Sequence, residues 1–308
     1  MKDPNEEKLN AIFDEKSLDK TLRKAKRTTF LRSLLISAIV SIIIIIGTYG
    51  ANNWWISKLG SEIASDLVIR DAVMKAPNTI IKTKTIDIGL FKGTIKQEVY
   101  KVIENKVIPW DSQEVNYGIK GFTSTTFSSY STEIDDTTQI KFPSGQREML
   151  FYVPQFKYKT YSNDLIKIQE YPNDKYVEMA ISFDKSYSLD EAKKMLPPSI
   201  KPTWFWVNSY SEKSDFSDEP VSGQWIFGIS NPSSKLGQVL STPEVKSESD
   251  FLSHLKKFNK NDYQFISTRQ KDGLIIGVVV TGTKENLLLL QEQPYVKASS
   301  LGAVVERY

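Results

Sequence analysis

From Ser33 to Ser57 the chain carries 25 consecutive residues without a charge, with Leu34-Leu35-Ile36 and Ile42 to Ile46 at their centre. As a helix rising about 1.5 Å per residue, this run is longer than the roughly 30 Å hydrocarbon core of a bilayer. A helix in a soluble core would show a polar stripe. This one offers only serines, a threonine and two asparagines. Trp54 and Trp55 close it, where indole rings favour the lipid–water interface. The expectation is a transmembrane helix over 33–55, and the lipid bilayer as a partner.

The flanks orient it. Lys20, Arg23, Lys24, Lys26, Arg27 and Arg32 crowd the N-terminal side, and few charges follow the span. The positive-inside rule places residues 1–32 in the cytosol and 56–308 outside, as a single-pass protein of the cell membrane. A cleaved signal peptide is the alternative. Thr48-Tyr49-Gly50 is a poor cleavage site, and the 32-residue leader argues for a retained anchor.

Composition then limits the chemistry. Residues 1–32 hold nine Lys/Arg against six Asp/Glu, so the whole net charge of +3 sits there and the rest is balanced. A neutral body has no basic face for nucleic acid. There is no cysteine and one histidine, His254, which excludes disulfides, thiolate nucleophiles and zinc sites built from Cys or several His. No P-loop, G-x-G-x-x-G or G-x-S-x-G occurs. Ser17/Lys20, Ser182/Lys185 and Ser253/Lys256 match S-x-x-K at the frequency chance gives for 33 serines and 33 lysines. Glu133, Asp135 and Asp136 could be paired glycosidase carboxylates. Asp215, Asp218 and Glu219 could hold calcium, without EF-hand spacing. Both sets read more simply as solvated loops. Trp204, Trp206 and Trp225 could line a groove, or pack a sheet. The expectation is no enzyme, no cofactor and no metal.

In the tail, Leu9, Ile12 and Phe13 share one helical face and could dock into a partner groove; Ser17 could cap the helix that follows. Beyond the span, Gly60 to Ala76 reads as a helix stopped by Pro77. Alternation from Thr79 to Val107 reads as β, with a turn at 91–94. Residues 111–148 are rich in Ser, Thr, Gly and Asp and read as a loop or boundary. The expected division is 1–32 tail, 33–55 span, 56–148 juxtamembrane helix and β-rich region with a polar linker, and 149–308 an α+β domain. Within the last, Tyr176–Phe183, Trp204–Val207, Gln224–Ile229, Gly273–Val280 and Leu301–Val305 read as strands. Ser188 and Glu191 form a capping box, Ser249–Phe258 a helix, and Thr283 caps a helix over 284–292. Strand–helix–strand units at 176–207 and 273–305 leave room for crossovers, giving a mixed sheet.

Three strings carry a resemblance: YVEMAISFDKSYSLDEAKKML (176–196) with WFWV (204–207), GVVVTGTKENLLLLQEQPYVKASSLGAVV (277–305), and the basic stretch Leu18–Leu31 running into the apolar helix. Together they resemble the sigma factor regulator family, membrane-anchored proteins of Gram-positive bacteria typified by anti-sigma factors. The resemblance implies transcription regulation and signal transduction: an extracytoplasmic domain that senses, and a cytosolic segment that restrains an extracytoplasmic-function sigma factor. Either Leu9, Ile12 and Phe13 make that contact, or a co-regulator membrane subunit does. The alternative is an anchored binding module for cell-envelope ligands with no sigma factor contact.

Overall fold

The computed structural model describes residues 15–128, 130–134, 137–141, 146–211, 219–231 and 245–307. It opens on one helix, α1, Glu15–Val73, of 59 residues. At about 1.5 Å per residue it is roughly 90 Å long. The sequence reads two helices here, 33–55 and 60–76. They are one because nothing between them breaks a helix: Ile56-Ser57-Lys58-Leu59 holds no proline, and Gly60 costs only about 1 kcal/mol. Ser17 lies inside α1 rather than at its start. The hydroxyls of Thr28 and Thr48 donate back to the carbonyls of Lys24 and Ile44, at 2.9 and 2.8 Å, so they ask nothing of the surroundings. By length and composition α1 is a candidate membrane span, and its apolar window is not buried by the rest of the chain.

Past α1 the chain makes β1 (Met74–Lys75), then a four-stranded antiparallel meander: β2 (Thr79–Ile88), β3 (Lys92–Ile103), β4 (Lys106–Gly118) and β5 (Gly121–Phe127). β6 (Tyr130–Ile134) and β7 (Thr137–Lys141) form a separate hairpin. Much of the Ser/Thr-rich stretch expected as a loop is therefore strand. Thr123, Thr125 and Thr126 are β-branched and fit a pleated surface, a property that counting polar residues ignores. The meander packs on α1 through Ile95, Val115 and Tyr117 against Ile56 and Leu67. Tyr117 fits because two glycines flank it: a Cβ on Gly60 would stand 2.4 Å from its Oη, and one on Gly93 2.4 Å from its Cζ.

The larger unit holds β8 (Leu150–Phe151), α2 (Asp164–Lys167), β9 (Lys175–Tyr187), α3 (Leu189–Met195), β10 (Lys201–Val207), β11 (Val221–Ser222), β12 (Ile226–Ser230), α4 (Glu248–Phe258), α5 (Lys260–Ser267), β13 (Ile275–Gly282), α6 (Lys284–Leu287) and β14 (Val296–Glu306). Its sheet runs β1-β12-β10-β13-β9-β14, and each neighbouring pair is antiparallel. The crossovers are nonetheless present, in split form. β9 and β10 run parallel with β13 between them, and β13 and β14 run parallel with β9 between them. The two strand–helix–strand units interleave, as in ferredoxin-like folds. A single parallel bridge joins Asn163, just before α2, to Ser299 of β14. The Ser188–Glu191 capping box forms at the start of α3. Thr283 precedes α6 without a side-chain cap bond, and helical geometry gives way to a 3-10 turn at Leu288–Leu290 rather than reaching 292.

Both faces of this sheet are covered, which explains the unbroken apolar run of β13. One face packs Ile181, Phe183, Phe205, Val278 and Val280 against the helices, including Phe251, Leu252 and Leu255 of α4. The other packs Trp204, Trp206, Ile276 and Val279 under Met149, Phe151 and Tyr152.

Candidate functional site

The C-terminal end of α1 is built into both sheets at once. Ile56 and Leu67 belong to the meander's core, whereas Ala72 and Val73 belong to the core of the six-stranded sheet. Directly after Val73 the chain becomes β1 and pairs with β12, Met74 opposite Phe227 and Lys75 opposite Ile226. Arg70 and Asp71, in the last turn, form the centre of a polar network. The Arg70 guanidinium donates to Asp71 at 2.7 and 2.9 Å and to the Gln97 side chain at 3.1 Å. Gln97 in turn donates to Asp71 and Thr83, and accepts from Gln113 at 2.7 Å. Arg70 lies 4.5 Å over the ring of Trp225, which leads into β12, and Phe127 of β5 tilts against the same ring. Burial raises the Asp71 carboxyl above its ordinary range, against the pull of Arg70. One helical turn thus touches β3 and the entry to β12, and reaches β4 through Gln97.

A second contact joins the sheets to each other. Lys101 of β3 donates to Glu178 of β9 at 2.7 Å, and both side chains are almost wholly buried. Glu178 also accepts from the Asn78 amide at 2.8 Å and from the Ala303 N–H at 3.1 Å. The Lys101 ammonium sits 3.9 Å over the Trp110 ring. Burial lowers the Lys101 pKa, with Glu178 opposing. Beside them Glu148 accepts from the Ser222 hydroxyl, and burial raises its carboxyl to about 7. At the turn after β3, Glu104 takes Lys201 at 3.2 Å and Thr281 at 2.8 Å. Lys101–Glu178, Glu104–Lys201 and Glu104–Thr281 each tie the meander to the six-stranded sheet. The space left at the junction, between Trp110 and Trp225, is only about 20 Å³; what the arrangement can do is hold α1 and both sheets in one fixed relation.

The basic residues singled out in the sequence, Lys20, Arg23, Lys24, Lys26, Arg27 and Arg32, are exposed along the first turns of α1, where Arg23 pairs with Asp19 at 3.1 Å. Trp54 and Trp55 are exposed and meet edge to face at 6.3 Å; Lys58 lies over Trp54. Leu9, Ile12 and Phe13 lie outside the described residues, as do Asp135, Asp136, Asp215 and Asp218. Glu133 is in β6, paired with Thr138. Trp204 and Trp206 are core residues and do not join Trp225 in a groove. Ser182 is buried and accepts from the Tyr152 N–H, while Lys185 is exposed, so they form no dyad. His254 bonds the Asp250 carbonyl within α4. Among the described residues no three His, Asp or Glu gather as a metal site.

The junction residues had a faint signal in the sequence. Gln97 and Lys101 fall in phase with Ile95, Val99 and Ile103, the inward set of β3. A polar residue at an inward position of an alternating strand needs a buried partner. The partners, Asp71 and Glu178, lie 26 and 77 residues away and could not be named.

Two family models match the chain. Sigma factor regulator N-terminal covers residues 19–108, and sigma factor regulator C-terminal covers 168–303. The first spans the basic segment, all of the apolar run and β1 to β3; the second spans β9 to β13 and most of β14. Neither a curated protein nor a solved structure matches.

Proposed function

Because the chain belongs to the sigma factor regulator family, a regulatory and not an enzymatic family, we propose that it is a single-pass, anti-sigma-like membrane regulator with residues 1–32 in the cytosol. The carrying observation is α1. A single helix runs from the basic segment to the point where both sheets close on it. A helix is stiff over this length, so a displacement of the sheets at Arg70–Val73 moves the helix as a body. The exterior domain holds or senses a signal, α1 transmits it, and the tail restrains a sigma factor through Leu9, Ile12 and Phe13. The basic residues 20–32 fix the orientation and meet anionic lipid, each contributing about 1 kcal/mol.

A second reading has its own observation. A polar cleft of about 380 Å³ opens at the end of β9, lined by Asp184, Lys185, Asn208, Arg269 and Asp272 among others. Such a cleft suits an envelope ligand, as signal for a regulator or as the sole target of an anchored binding module.

Partner capture from membranes separates the readings. The full chain is compared with a Leu9→Ala/Ile12→Ala/Phe13→Ala variant. A sigma factor recovered with the first and lost with the second supports the regulator and its contact. Retention by the variant moves the contact to another subunit. Recovery of envelope components alone, by both, supports the binding module.

A further inference from the structure

Two turns lie at the end of the meander that faces the span. One is Gly89-Leu90-Phe91 between β2 and β3; the other is Ile119-Lys120 between β4 and β5. They are neighbours, because Lys92 pairs with Gly118 and the Phe91 carbonyl stands 3.3 Å from where a Gly118 Cβ would be. Their large apolar side chains point outward: Leu90 is 66% exposed, Phe91 55%, Ile119 49% and Phe122 62%. Ile86 and Ile88, at the same end of β2, are exposed as well.

The patch has a fixed height on α1. Asn52 is buried, donates to the Gly89 carbonyl at 3.0 Å and accepts from the Phe91 N–H at 2.8 Å. These bonds hold Phe91 at φ 60°, a left-handed conformation that a phenylalanine rarely adopts. From Arg32, the last charge before the apolar run, Asn52 is 20 residues along the helix. At about 1.5 Å per residue that is roughly 30 Å, the thickness of the hydrocarbon core. The turns therefore sit at the outer edge of that core, beside Trp54 and Trp55. Lys92 and Lys120 stand next to the apolar tips and are exposed. No acidic residue occurs in 88–93 or 118–122; Asp87 is the nearest.

We propose that the span-facing end of the meander is a second membrane contact, with Leu90, Phe91, Ile119 and Phe122 seated in the outer lipid interface and Asn52 tying them to the span. The occupant of the patch is lipid because the patch is continuous with a surface that lipid already covers. Amphipathic apolar surface of this kind partitions into the headgroup–acyl boundary. The contact rests on α1 crossing the bilayer, as proposed above. It adds that the exterior domain is fixed against the membrane surface, rather than held above it on a stalk.

The chain has no cysteine, so single cysteines can carry a polarity-sensitive fluorophore in the full protein in vesicles of mixed neutral and anionic lipid. Leu90→Cys and Phe122→Cys report the patch. Asn105→Cys, at the far end of β3, is the aqueous reference, and Ile43→Cys the mid-span reference. Thermal melts confirm that each labelled protein is folded. The expected result is blue-shifted emission at residues 90 and 122, quenching by nitroxide lipids labelled near the headgroup, and loss of the iodide quenching seen at 105. If residue 43 is lipid-quenched but 90 and 122 respond to iodide, the contact is refuted and the span stands. If residue 43 is not lipid-quenched, the span fails and the contact with it. Labels at 90 and 122 that are shielded from both quenchers until the protein is diluted in the membrane would identify a second copy as the occupant and overturn the proposal.

Discussion

Replacing Lys101 with methionine tests how the two sheets are held together. Lys101 and Glu178 are 1% and 0% exposed and 2.7 Å apart. At an effective dielectric of about 20 the gross attraction at this distance is roughly 6 kcal/mol. Desolvating two ions offsets most of that, so the intact pair adds little net stability. Breaking it is another matter. Methionine fills a similar volume, but it leaves Glu178 buried with only the Asn78 amide and the Ala303 N–H as donors. An orphaned buried charge of this kind costs about 3–5 kcal/mol. For a folded region of more than 200 residues, each kcal/mol lowers Tm by roughly 2–4 °C, so Lys101→Met should lose on the order of 10 °C. The assay is thermal unfolding of the full chain in detergent, followed by tryptophan emission, since Trp110 lies against the ammonium. The variant Lys101→Met/Glu178→Gln removes the orphaned charge and should recover a large part of the loss. A single variant within about 1 kcal/mol of wild type, or a double variant as unstable as both single losses added together, would refute the account of a buried pair.

Gly60→Ala should destabilise despite alanine's better helix propensity, because its methyl meets the Tyr117 hydroxyl at 2.4 Å; Gly50→Ala, which meets nothing, should be neutral or stabilising by about 1 kcal/mol. Tyr117→Phe removes a buried hydroxyl that has no partner among the described residues, so it should be tolerated alone and should partly rescue Gly60→Ala in the same melts. The Glu148 carboxyl, raised from 4.5 to about 7, keeps its proton in the folded chain where the unfolded chain has released it. Its contribution is fully present below about pH 4.5 and is lost as pH rises through about 7, a fall of about 3 kcal/mol. Glu148→Gln should flatten that slope in unfolding curves taken from pH 5 to pH 8. Ser57→Pro removes one helical hydrogen bond and kinks α1 just past the span, where Asn52 and Ile56 already pack on the meander, at a cost of about 3 kcal/mol. On the proposed function it should leave partner capture by the tail intact while uncoupling the captured partner from the sheets; partner regulation identical to wild type would show that α1 does not carry the signal.

The span and the elements beyond it were legible because their signals are local. An uncharged run longer than a bilayer needs no partner to be recognised, and neither do a capping box at Ser188–Glu191 or the apolar run of β13. Interleaved crossovers could be half seen: each strand–helix–strand unit was visible by itself, but which strand enters the gap in the other is decided only when both pack. Local composition also misled, at Thr123–Phe127, where polarity hid β-branching. The junction itself was invisible. Asn52 read as an uncharged residue near the end of a span, yet its side chain is closed by a turn 37 residues on. Arg70 and Asp71 read as surface charges on a short helix, and Lys101 as an ordinary strand lysine. Their roles come from being buried together, and burial is a property of the assembled sheets. The sequence by itself determined that this chain has a helix long and apolar enough to cross a membrane, an α+β region after it and the marks of its family, since these depend on residues near one another. Only the tertiary structure decided that the helix continues into both sheets and what fastens it there, since a buried charge is defined by a partner that lies elsewhere in the chain.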